Sequence, residues 1–187
     1  QGVVAAILDD GGTTWINFYD KDGSEIATGK TSVDSPGYPV DLDVSENGLL
    51  IGVAYLTVAD NQVSSYVAFY NFGNTGQNQM DNMVSGYTYD DVVAPRIYYM
   101  DASRAAVLRD DGFVLYQGRQ IPEETKTVQA EGEIVSTFFD ERHLGLVYHT
   151  TEGEDPYRMV VYDAAGNEEF SQTFDFSYDN IQISQDQ

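Results

Sequence analysis

The chain has 187 residues and no cysteine, and its 31 Asp and Glu against 9 Lys and Arg give a net charge of −22. That length buries a core without covalent staples, and the missing cysteine excludes disulfides, thiolate metal sites and a thiol nucleophile. The charge argues against nucleic acid and against an anionic membrane surface as partners, because their phosphates would be repelled.

Along the chain, apolar runs are short, rich in Val, Ile, Tyr and Phe, and punctuated by Gly, Asp and Asn, which is the pattern of strands. No run approaches the length of a bilayer span. The opening segment Val3–Leu8 reads as a strand and not as a secretory core, since it has no basic start and no cleavage site after it. On this reading the chain begins inside a structural unit.

A strand ending in an apolar-Tyr pair then recurs, at Phe18-Tyr19, Phe69-Tyr70, Leu115-Tyr116 and Val161-Tyr162, with tyrosine spacings of 51, 46 and 46. A glycine follows each: Gly23, Gly73, Gly118 and Gly166. Asp or Asn followed by Gly closes a hairpin at low cost, because glycine accepts positive φ. A second recurring element is strand, polar turn, strand. It occurs at Leu42–Gly48 before Leu49-Leu50-Ile51, at Tyr99–Arg104 before Ala105–Leu108, and at Phe138–His143 before Leu144–Val147. A fourth copy of its first half, Ile181–Asp186, lies near the end of the chain.

Each unit therefore reads as strand a, turn, strand b, loop, strand c, tight turn, strand d. The predicted fold is all-β and β-propeller-like, with about four four-stranded blades in one domain over 1–187. The units run over about 1–35, 36–90, 91–132 and 133–180, with 181–187 starting or completing a blade. A closed four-bladed ring and a part of a larger propeller both fit, and a β-sandwich is the structural alternative. The four tyrosines are expected to pack within and between blades.

The turn pattern Phe18-Tyr19-Asp20 to Gly23 and Val161-Tyr162-Asp163 to Gly166 is similar to that of WD40-like and quinoprotein-like propellers. Its Tyr-rich, acidic wording resembles an uncharacterised family of propeller-like proteins of anaerobic Gram-positive bacteria. That resemblance implies a membrane anchor upstream of the segment and an extracytoplasmic location. Trp15 is the only tryptophan, so the quinoprotein tryptophan signature is missing and no cofactor is expected.

In a propeller the b–c and d–a loops share one face. Sorted this way, acids and tyrosines fall on that face: Tyr38, Tyr87, Tyr89, Asp90, Asp91, Asp110, Asp111, Glu152, Glu154, Asp155, Tyr178 and Asp179. Lys21, Arg104, Arg119 and Arg142 fall on the other. Tyrosine supplies rigid contact area and carboxylates supply charge selectivity. Turns also favour Asp, Asn and Gly for backbone reasons alone.

Asp20-Lys21-Asp22-Gly23 opens like a calcium loop, but its glycine comes two positions early and no closing acid follows. His143 and His149 sit at opposite ends of one strand, which argues against a shared zinc. No nucleophile elbow and no phosphate-cradling loop occurs. The expectation is a non-catalytic binding or scaffold module of the bacterial cell envelope, with no catalytic and no metal residue assigned. Its partner would be a protein or glycan at the cell surface, with no membrane insertion by this segment. Two alternatives stand beside it: a glycan-active hydrolase or lyase using loop carboxylates, and an assembly module completing a propeller with another copy or with a further part of the chain.

Overall fold

The computed structural model describes residues 4–10, 13–30, 37–73, 83–151 and 153–175. These form fifteen strands in four antiparallel sheets that follow one another along the chain. Sheet one contains β1 (Val4–Asp10), β2 (Thr13–Tyr19) and β3 (Glu25–Lys30). Sheet two contains β4 (Tyr38–Val44), β5 (Leu50–Ala59), β6 (Gln62–Asn71) and β7 (Met83–Asp90). Sheet three contains β8 (Arg96–Tyr99), β9 (Arg104–Arg109), β10 (Gly112–Gln117) and β11 (Glu123–Gln129). Sheet four contains β12 (Ile134–Phe139), β13 (His143–His149), β14 (Tyr157–Asp163) and β15 (Glu168–Phe174). Among the described residues no helix is long and apolar enough to cross a membrane.

Every sheet is a simple up-and-down meander in sequence order. The middle strands carry continuous apolar runs, because both of their faces are covered. Leu50 to Tyr55 and Val67 to Tyr70 are all buried, as are Phe113 to Tyr116 and Leu144 to Tyr148. Outer strands β7 and β11 instead alternate exposed with partly buried positions toward their ends.

Sheets pack face to face in a row. Ile16 and Phe18 meet Ile51, Val53 and Tyr70 between sheets one and two. Phe69, Val67 and Ala54 meet Ile97, Tyr99, Val107 and Tyr116 between sheets two and three. Ala106, Phe113 and Leu115 meet Leu144, Leu146, Val160 and Tyr162 between sheets three and four. Aromatic pairs mark each seam: Phe18–Phe72 at 4.4 Å, Phe69–Tyr116 at 5.0 Å and Phe113–Tyr162 at 5.1 Å between ring centroids. Each such pair adds about 0.5–1.5 kcal/mol beyond the area it buries. Tyr70, Tyr116 and Tyr162 of the tyrosine ladder thus pack within and between sheets.

The tight approach of β8 to sheet two needs a glycine. A Cβ on Gly52 would stand 2.1 Å from Ile97 Cδ1, and Ile97 is itself buried. Tyr38 was expected in a loop, as were Tyr87, Tyr89 and Asp90. The structure corrects this: Tyr38 opens β4, and the other three lie in β7. Exposure alternates along β7 as far as Asp90, so Tyr87 and Tyr89 both face the next sheet.

Candidate functional site: the two ends of the sheets

The sheets have two ends. One carries the a–b and c–d turns; the other carries the b–c turns and the sheet-to-sheet connections. Aspartate is used differently at each.

At the first end, side-chain carboxylates close turns. Asp20 Oδ1 accepts the N–H groups of Asp22 and Ser24, both at 2.9 Å. Asp101 Oδ1 accepts from Ser103 at 2.7 Å and Arg104 at 2.8 Å, while Arg104 Nε reaches Oδ2 at 2.7 Å. Asp140 Oδ1 accepts from Arg142 at 2.6 Å and His143 at 2.8 Å. Asp163 Oδ1 accepts from Ala165 at 2.8 Å and Asn167 at 2.7 Å. The Asp20–Gly23 stretch is thus a hairpin turn, with Gly23 at φ 80 and its N–H on the Asp20 carbonyl at 3.0 Å. A depression of about 390 Å³ at this end is lined by Asp43, Glu46, Tyr98, Arg104, Glu141 and Arg142, among others.

At the second end, the structure brings several predicted residues together across the seam of sheets two and three. Arg109 makes a two-pronged pair with Asp111, Nε to Oδ1 at 2.7 Å and Nη2 to Oδ2 at 2.5 Å. The same guanidinium lies 5.0 Å over the Tyr89 ring. The Tyr89 hydroxyl bonds the Tyr116 hydroxyl, and burial chiefly pushes the Tyr89 phenol up to about 12. The Tyr87 hydroxyl donates to the Pro122 carbonyl at 3.0 Å. Tyr87 and Tyr89 therefore hold two sheets together. The Asp110 N–H bonds the Val93 carbonyl at 2.9 Å, and the Asp91 N–H bonds the Val63 carbonyl at 2.9 Å. Asp60 and Asn61 form the two-residue turn at the tip of β5–β6, both at positive φ (52 and 60).

The carboxylates of Asp60, Asp90, Asp91 and Asp110 are exposed and make no hydrogen bond or ion pair among the described residues. On β4 and β5 at the same end, Tyr38 and Val58 are 72% and 71% exposed. Glu154 and Asp155 belong to the β13–β14 connection of sheet four, where Asp155 accepts from Thr173 Oγ1 at 2.9 Å. Glu152, Tyr178 and Asp179 lie outside the described residues.

Two clusters escaped the sequence reading. Glu131 accepts from Tyr148 Oη at 3.2 Å and pairs with Arg158, beside a hollow of about 450 Å³ lined by Thr150, Gly153, Arg158, Ser171, Gln172 and Thr173. Asp41 and Asp43 of β4 accept the backbone N–H groups of Ile97 and Tyr99 in β8. Scarcity is the one signal that marks Arg158, as one of 9 basic residues. Among the described residues no three His, Asp or Glu side chains converge as a metal-binding group.

Four successive antiparallel meanders stacked face to face define a β-propeller-type protein. The chain belongs to a family of unknown function, DUF5711, which matches residues 1–187. Among solved structures it is similar to a crystal structure described as the eukaryotic initiation factor. There the TM-score is 0.55 and identity 10%, over 93% of this chain and 43% of that one. It is also similar to a putative 6-phosphogluconolactonase from Bacteroides uniformis, a β-propeller, with TM-score 0.52 and identity 12% over 97% of this chain and 57% of that one. The chain thus spans about half the length of these solved chains. No curated protein matches.

Proposed function

We propose that this chain is a non-catalytic binding module of the bacterial cell envelope, held outside the cytoplasm, that engages a surface protein or glycan through its second end. The observation that supports this is the unequal use of carboxylates. At the first end Asp20, Asp101, Asp140 and Asp163 accept backbone N–H groups. At the second end Asp60, Asp90, Asp91 and Asp110 stand exposed, and Tyr38 and Val58 of the same end are exposed as well. Exposed aromatic and apolar side chains and unspent charge at one end of the sheets are what an interaction surface presents. The extracytoplasmic setting rests on the resemblance to anchored propellers of anaerobic Gram-positive bacteria.

The test is co-sedimentation with purified Gram-positive cell walls. Replacing Asp60, Asp90, Asp91 and Asp110 together by Asn keeps the left-handed turn positions tolerable and removes four charges. This variant is expected to lose binding. A control carrying Asn at Asp22 and Gln at Glu46 and Glu141, on the opposite end, is expected to keep it. Equal binding by both variants, or none by the unmodified chain, overturns the reading.

A further inference from the structure

Bases are scarce in this chain, at 9 against 31 acids, yet Arg104 and Lys126 line one hollow. It lies at the first end, in the seam between sheets three and four, and has a volume of about 410 Å³. Small-molecule sites span about 300–1,000 Å³. The pairing register puts its groups on one face. Arg104 stands opposite Gln117, and Lys126 stands opposite Leu115. Leu115 belongs to the core shared by sheets three and four, so these side chains look toward sheet four. The facing wall is the β14–β15 turn, which offers Ala164 and Ala165.

Both cations are held in place with donors to spare. Arg104 Nε donates to Asp101 Oδ2 at 2.7 Å. The other oxygen of Asp101 accepts the Ser103 N–H at 2.7 Å, the Ser103 hydroxyl at 3.1 Å and the Arg104 N–H at 2.8 Å. That carboxylate is filled, and the two terminal nitrogens of Arg104 make no hydrogen bond or ion pair among the described residues. The Lys126 stem is pinned beneath the turn, since a Cβ on Gly166 would stand 2.9 Å from Lys126 Cδ and 3.0 Å from Leu115 Cδ1. Its ammonium donates to Asn167 Oδ1 at 3.3 Å and has further protons to give. The neighbouring acids of β11 are turned away. Glu124 lies opposite Tyr116, on the face toward sheet two, and Glu123 is exposed and does not line the hollow. The depression on the other side of Arg104 adds Arg142, but there Asp43, Glu46 and Glu141 outnumber the two bases.

The hollow thus presents donors without matching acceptors, which suits an anion. Arg104 and Lys126 against Asp101 leave a single positive charge. One carboxylate balances that charge. A phosphate monoester, at about −1.5 to −2 near neutral pH, exceeds it within a chain already at −22. Beside the cations, the Gln117 amide offers a donor and an acceptor, and Leu115, Ala164 and Ala165 offer apolar wall. That combination matches the hydroxyls and the C–H face of a sugar ring. We infer that this hollow binds a sugar acid, with its carboxylate on Arg104 and Lys126 and its ring toward Gln117 and the alanine turn. This inference stands apart from the reading of the acidic end.

Isothermal titration calorimetry with sodium D-glucuronate tests it. The comparison ligands are D-glucose, which lacks the carboxylate, sodium acetate, which lacks the ring, and inorganic phosphate. Expected is saturable binding of glucuronate, at least about tenfold tighter than any of the other three. Lys126→Met keeps the stem beneath Gly166 and removes the charge, so it is expected to weaken glucuronate about tenfold. Ala165→Glu changes an exposed turn position and sets a carboxylate of the chain itself in the hollow, so it is expected to abolish binding. The variant with Asn at Asp60, Asp90, Asp91 and Asp110 is expected to bind glucuronate as the unmodified chain does. The inference is overturned by no heat with glucuronate, by glucose, acetate or phosphate binding as tightly, or by full affinity in folded Lys126→Met or Ala165→Glu.

Discussion

Asp41 and Asp43 stand where backbone would otherwise stand. Asp41 Oδ2 accepts the Ile97 N–H at 2.9 Å, and Asp43 Oδ2 accepts the Tyr99 N–H at 2.7 Å. Both N–H groups belong to the edge of β8 that β9 leaves free. Two carboxylates on one inner strand thus satisfy the edge of the next, and an unmet buried N–H would cost about 1–3 kcal/mol. Burial is the main influence on Asp43 and raises its pKa against the lowering effect of the Tyr99 and Val44 N–H groups. Close by, the Tyr99 hydroxyl is buried and finds no hydrogen-bond partner among the described residues. Burial above all keeps this phenol protonated, with the Asp43 charge adding to the effect. Tyr99→Phe removes only that unmet group, so it is expected to stabilise the fold by about 1 kcal/mol. Tyr116→Phe deletes the partner of the Tyr89 hydroxyl and is expected to destabilise by about as much. Urea midpoints of the two variants decide the matter: they should move in opposite directions, and a shared fall would mean that the Tyr99 hydroxyl is bonded after all.

The strands show the repeat more sharply than the residues do. In all four sheets the pairing of the last two strands slips by one residue at the same place. The slips lie between Phe18 and Tyr19, Phe69 and Tyr70, Leu115 and Tyr116, and Val161 and Tyr162. The extra residue on the outer strand is Ile26, Val84, Thr125 or Glu169 in turn. The apolar-Tyr pair is therefore the position of a β-bulge, which bends the outer strand and increases its twist.

Tight turns follow, anchored by aspartates whose pKa values are lowered at Asp101, Asp140 and Asp163. At Asp101 and Asp140 burial is the largest single influence and works the other way, yet the N–H donors together with Arg104 or His143 outweigh it. At Asp163 the Asn167 backbone and side chain dominate. A lowered folded value makes the contribution present above the ordinary 3.8 and lost as pH falls through the folded value. Asp43, shifted upward, acts with the opposite sign and softens the loss. Acid unfolding followed by circular dichroism should be shallower below that pH in an Asp101→Asn/Asp140→Asn/Asp163→Asn variant, whose amide oxygens still accept the turn N–H groups. An unchanged acid limb would show that other carboxylates drive it.

The tyrosine spacing and the Asp-to-Gly turns made this meander legible in the sequence, because both are local. The bulge was not, since it exists only as a mismatch between two strands. The same limit hid the carboxylates of β4, whose partners are 56 residues away. It also moved Tyr87 and Tyr89 from a supposed loop into the seam between sheets, where their hydroxyls meet Pro122 and Tyr116.

Over the whole molecule a charge of −22 is confined to a stack held by three apolar seams. Folding gathers like charges that the extended chain keeps apart, so self-repulsion weighs on the folded state more than on the unfolded one. The described ion pairs offset little of this, since the Arg109–Asp111 and Arg158–Glu131 pairs each neutralise one acid among 31. Screening acts on exactly such exposed, widely spread charge, and the Debye length falls from about 30 Å at 0.01 M salt to about 3 Å at 1 M. The thermal midpoint is therefore expected to rise steadily with sodium chloride across that range. Potassium should act like sodium at equal ionic strength, because screening is indifferent to the ion. A midpoint that falls with salt would mean that attractive pairs outweigh the repulsion. A large rise with millimolar calcium, at constant ionic strength, would instead assign the excess charge to a specific cation.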